Sequence, residues 1–112
     1  MSILDKIKIV RIGGVDFEVR SNPELSIAAD ACGRICVNMS RVEIEPSMSP
    51  QHQAQTILHE IVHGIIRTSR LGDVLQNSDD EERFIDGLAF GMLQVIRDNP
   101  DLIREIQALW EK

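Results

Sequence analysis

Residues 49–66 read SPQHQAQTILHEIVHGII, and the fold turns on them. Ser49 has the side chain of a helix N-cap, and Pro50 suits the first helical position, where its missing N–H is no loss. Apolar residues follow at 54, 57, 58, 61, 62, 65 and 66, the spacing of one helical face. This predicts an amphipathic helix that ends before Gly72-Asp73. Further helix is expected downstream. A second helix runs from about Asp79 to Arg97, with Phe84, Ile85, Leu88, Ala89, Met92, Val95 and Ile96 as its stripe. Asn99-Pro100 interrupts it, and a short third helix from Asp101 to Trp110 carries Leu102, Ile106 and Leu109.

Upstream the period changes to two. Ile7, Ile9 and Ile12 precede Gly13-Gly14, and Val15, Phe17 and Val19 alternate after it, which reads as a β-hairpin. Asn22-Pro23 ends it. Residues 24–33, ELSIAADACG, are ambiguous and have room for a helical turn. RICVN (34–38) reads as a third strand, and RVEIE (41–45) as a further strand or its continuation, stopped by Pro46. Strands followed by helices indicate an α+β fold: a small antiparallel or mixed N-terminal sheet of about three strands, packed against a C-terminal set of helices.

The chain has 112 residues, enough for one minimal domain over 1–112 and too few for a second substrate-binding domain. Its composition, 43% hydrophobic and 27% charged, is that of a globular protein. No apolar run approaches the ~20 residues needed to span a bilayer. The opening MSILDKIKIV lacks the parts of a signal peptide, so no membrane association and a cytoplasmic location are expected. The net charge of −6 repels phosphate backbones, and no basic stripe offsets it, so no nucleic-acid partner is expected. Cys32 and Cys36 match neither a zinc knuckle nor a C-x-x-C pair and read as ordinary thiols.

His59, Glu60 and His63 fit H-E-x-x-H. Residues i and i+4 project from the same helix face, so two imidazoles can meet one Zn²⁺ at ~2.0–2.1 Å. Glu60 lies about 100° round the helix from His59, where it can act as general base without taking a coordination position. The plain alternative is a half-exposed helix with two edge histidines. Three features favour zinc: the motif sits on a helix, the histidines flank the apolar stripe, and Gly64 is expected to leave room beside the metal.

Catalytic zinc needs a third protein ligand. No histidine follows His63, which excludes the metzincin pattern. His52 is on the face of His59 but roughly 10 Å away along the helix, and is expected at the rim of the cleft. A carboxylate remains. Asp79, Asp80, Glu81 and Glu82 open the second helix, where acids also suit the helix dipole. Ser78-x-x-Glu81 has the form of a capping box, which leaves Glu82 free to reach a metal. Glu81 and the aspartates stay as alternatives. Asp86, one turn on, is placed to hydrogen-bond the far nitrogen of a ligand histidine and fix its tautomer.

TILHEIVHGI followed by EERFIDGLAFGML resembles the small gluzincin-like metallopeptidases of the ImmA/IrrE kind, common in bacteria, mobile elements and phages. The resemblance covers roughly Ile35 to Pro100. The family's ligand glutamate and its following positions fall on Glu82, Ile85, Asp86, Leu88-Ala89 and Met92-Leu93. It implies His59, His63 and Glu82 as zinc ligands, Glu60 as general base, and hydrolysis of a peptide bond in a protein or peptide substrate. An extended peptide would add to a strand edge beside the cleft, with RVEIE as the expected edge. Tyrosine is absent, so His52, Arg67 and Arg70 are the remaining side chains for an oxyanion or substrate contact. The competing reading is a catalytically silent zinc-binding regulatory or interaction protein that keeps the fold.

Overall fold

A computed structural model describes residues 3–25, 32–74 and 78–110, and the backbone alone of 74 and 78–82. Residues 26–31, the middle of the ambiguous stretch, lie outside the described residues.

The expected α+β order holds, with a sheet of four strands instead of about three: β1 (Ile9–Ile12), β2 (Val15–Ser21), β3 (Gly33–Cys36) and β4 (Arg41–Ile44), in the order β1-β2-β4-β3. β1 and β2 form the hairpin, with Ile12 opposite Val15. Gly13 and Gly14 turn between them at φ 59° and 83°, the left-handed pair that a two-residue hairpin requires. β4 runs parallel to β2 (Val19 opposite Val42) and antiparallel to β3 (Ile35 opposite Val42). RVEIE is therefore an interior strand, and the expectation that it forms the free edge is corrected. Alternation marks which face of a strand is buried and carries no information about its lateral neighbours. Among the described residues, the free edge on that side of the sheet is β3.

One face of the sheet is apolar. Val10, Ile12, Phe17, Val19, Ile35, Val42 and Ile44 are buried there. The opposite face carries the pairs Arg11–Asp16, Arg20–Glu18 and Arg34–Glu43. Arg11–Asp16 and Arg20–Glu18 are exposed and stabilise little, while Glu43 is largely covered.

Three α-helices follow, α1 (Pro50–Ser69), α2 (Ser78–Asp98) and α3 (Pro100–Ala108), and α1 and α2 lie on the apolar face. Ser49 caps α1 as expected, its hydroxyl accepting the His52 N–H at 3.2 Å. Ala54, Ile57, Ile61 and Ile65 carry α1 onto the sheet. A Cβ built on Gly64 would come within 2.8 Å of Ile35 Cδ1 and 3.0 Å of Ile12 Cδ1. Gly64 therefore makes room for the sheet, and the expectation that it clears space beside a metal is corrected. α2 packs antiparallel on α1, Gly91 against Ile65 and Gly87 against Leu71. Its inward residues are Phe84, Leu88, Met92 and Val95. Ile85 and Ile96, expected in the same stripe, are exposed with Phe90 and Leu93. Asn99 is buried at the joint before α3. Its Oδ1 accepts the Arg11 N–H at 2.8 Å, and its Nδ2 donates to the carbonyls of Arg11 and Val95 at 3.0 and 2.9 Å. Among the described residues, no helix is long and apolar enough to cross a membrane.

Candidate metal centre

α1 presents two different sides. Thr56 and Glu60 face the sheet at β3, and Glu60 is only 6% exposed. Gly33 makes that approach possible. A Cβ there would lie 2.7 Å from Thr56 Cγ2 and 3.3 Å from Glu60 Cγ, so a side chain at 33 would lever β3 off the helix. Gly33 and Thr56 were not singled out from the sequence. The available signal was an isolated glycine at the start of a strand, which marks a close backbone approach.

The other side carries the histidines. His52 and His59 are exposed and His63 is half-buried. The rings of His59 and His63 stand 4.8 Å apart between centroids at 75°, so the i, i+4 spacing brings them together as expected. Neither makes a side-chain hydrogen bond with a described residue, which leaves the nitrogens available as ligands. Two adjacent, unengaged imidazoles are a donor set that suits zinc. His59 and Glu60 also share a cavity of about 280 Å³ with Cys32, Gly33, His52, Gln55 and Thr56. His52 thus stands at the rim, where its position on the helix predicts it.

The strand register shows what the free edge offers. The Glu45 N–H donates to the Cys32 carbonyl at 2.8 Å, and the Asn22 N–H donates to the Ile44 carbonyl at 2.9 Å. Bonded pairs alternate along an antiparallel ladder. Cys32, Arg34 and Cys36 therefore turn their backbone groups toward β4, while Gly33 and Ile35 turn theirs outward. Gly33 borders the cavity. The Ile35 carbonyl accepts from Arg67 Nη1 at 3.2 Å, which holds Arg67 beside the edge strand. Arg70 pairs with Asp73 at 3.2 Å, beyond the end of α1.

α2, the helix expected to carry the third ligand, is less engaged with this site. The Glu82 and Glu81 side chains lie outside the described residues. Asp86 is exposed and makes no hydrogen bond to either imidazole. Gly91 of α2 sits against Ile65 and Gly87 against Leu71, so the first turns of α2 lie past His63. Glu82 precedes Gly91 by nine residues, about 13 Å along a helix axis, in the direction away from the histidines. Among the described residues, no three His, Cys, Asp or Glu side chains form a cluster able to hold a metal. Compared with known proteins, the chain matches no family model, no curated protein and no solved structure.

Proposed function

We propose that this protein is a zinc-dependent peptidase acting on a protein or peptide substrate. The observation that carries the reading is the division of labour on α1. His59 and His63 stand side by side with unengaged rings, while Glu60 turns toward Gly33 in a cavity that His59 also lines. His59 and His63 would hold the ion; Glu82 is the third ligand that the motif resemblance implies, and the start of α2 would have to lie nearer His63 than the packing of Gly91 on Ile65 sets it. Bound zinc would supply Lewis acidity toward a carbonyl and lower the pKa of a coordinated water toward ~7.

The remaining roles belong to the chain itself. The outward backbone groups of Gly33 pair with an extended peptide, as in strand addition, and set it beside Glu60. Glu60 takes a proton from the attacking water and passes it to the leaving amine. Its burial against Thr56 and Gly33 limits the directions in which its carboxylate can point. His52 and Arg67 are the side chains within the site's surroundings for an oxyanion or substrate contact, Arg67 through the N–H groups not given to Ile35.

One observation favours a second reading, a zinc-binding regulatory or interaction protein without turnover. The first turns of α2, where Glu82 stands, lie past His63, and Asp86 makes no hydrogen bond to either imidazole. Glu60→Gln separates the two. The peptidase reading predicts unchanged zinc content and hydrolysis reduced at least ~100-fold, the scale of general-base catalysis. Zinc retained with every activity unchanged would leave the non-catalytic reading standing.

A further inference from the structure

A second cavity of about 480 Å³ lies on the far side of the ridge formed by His52 and Gln55, between α1 and α3. Those two residues line it and the cavity at Glu60 alike. Its floor and far wall are Ala54, Leu58, Ile106 and Trp110. Trp110 is 60% exposed, although the segment that carries it is fastened to α1 by Gln51 Nε2 donating to the Leu109 carbonyl at 3.4 Å. Among the described residues, the lining contains no Lys, Arg, Asp or Glu, so a charged group entering it meets no counter-charge from them. An apolar side chain loses nothing there and covers the indole. The volume falls in the ~300–1,000 Å³ range of ligand pockets.

We propose that this groove is a specificity subsite, which receives a large apolar side chain of the peptide whose backbone lies in the cavity at His59 and Glu60. The inference rests on the peptidase reading and names the chemistry of its substrate. Continuity through His52 and Gln55 selects this occupant: a chain leaving the cavity across that ridge enters the groove directly.

Trp110 is the sole tryptophan of the chain, so intrinsic fluorescence reports on this groove alone. The experiment titrates the full-length Glu60→Gln variant with blocked pentapeptides of glycine carrying Leu, Phe or Ser at the centre. In parallel, the unsubstituted zinc-loaded chain is profiled on a mixed peptide library. The proposal expects a saturable blue shift of Trp110 emission with the Leu and Phe peptides and none with the Ser peptide. Affinity should weaken at least ~10-fold in Leu58→Ser. Trp110→Ala, which removes a side chain outside the core, should lose the same preference when binding is read by calorimetry. Library cleavage should concentrate near apolar residues.

Cleavage without apolar preference, with Trp110 emission unmoved, would overturn the subsite and leave the peptidase reading intact. Leu-peptide binding in a chain that cleaves nothing would support the groove and overturn the peptidase reading. An emission shift that follows protein concentration without peptide would show a second copy in the groove, and would also overturn the proposal.

Discussion

The two sides of α1 are built to opposite rules. Toward the sheet, every position is fixed by a neighbour: Gly64 against Ile12 and Ile35, Thr56 and Glu60 against Gly33, and Ile57 and Ile61 fully buried. On the other side, His52, His59 and His63 meet solvent, one another and a cavity. The first side is needed for the chain to fold. The histidines of the second are not among the buried core residues, so two of them one turn apart call for another explanation. A glutamate between them that belongs to the first side is held in a set direction, as a positioned base needs to be.

The largest effect should come from disturbing the packed side. Gly64→Val would force Cβ and its methyls into Ile35 and Ile12, with little room for either to yield. We expect a loss of about 3 kcal/mol, read as a lowered urea midpoint at unchanged slope. A change near zero would mean that α1 does not press on the sheet there.

Asn99 sharpens the contrast, because it is a polar residue used fully for structure. Its side chain makes three bonds that tie β1 to the end of α2. Asn99→Ala strands the buried groups it serves and should cost about 1–3 kcal/mol. Amide exchange at Arg11 should accelerate with it.

The histidines should behave in the opposite way. His59→Ala and His63→Ala leave no buried group unpaired, and each should shift the stability of the metal-free chain by no more than about 0.5 kcal/mol. A loss comparable to that of Asn99→Ala would mark the histidines as structural and break the comparison.

Much of this was legible in the sequence. The 3.6-residue spacing and the Ser49-Pro50 start located α1, and Gly13-Gly14 located the hairpin. H-E-x-x-H brought His59 and His63 together because i, i+4 spacing is a property of any helix. Lateral relations were not legible. RVEIE alternates as well in the middle of a sheet as at its edge, so β4 was expected where β3 lies. The stripe of α2 was drawn too wide, since Ile85 and Ile96 fit the apolar pattern while facing outward. Gly64 shows the same limit: a glycine after a histidine signals a close approach without saying from which side. The cavity wall at Gly33 depends on how β3 meets α1, a contact between segments far apart in the chain. How α2 lies against α1 depends likewise on packing at Leu71 and Ile65, which periodicity does not encode.

The smallest effect belongs to the exposed pair beyond both sides. Arg97 donates to Asp98 at 2.8 and 3.2 Å. That hydrogen bond, more than the charge of Arg97 itself, holds the Asp98 carboxyl below its ordinary value. A depressed carboxylate pKa contributes stability that is present above the unfolded pKa and lost as pH falls through the folded one. Asp98→Asn should therefore remove a small, salt-screened part of the stability at neutral pH and none at a pH below both values. Unfolding curves at the two pH values in low and high salt would show it.

Zinc content of the purified full-length chain, measured by mass spectrometry beside His63→Ala and Glu82→Ala, tests the central claim most directly. The account predicts about one zinc per chain, lost in His63→Ala while the variant keeps its fold; loss in Glu82→Ala as well is what the motif resemblance adds, and zinc retained there would leave the third ligand elsewhere. Absence of zinc after reconstitution of the unsubstituted chain would contradict it, and TILHEIVHGII would then be an ordinary half-buried helix.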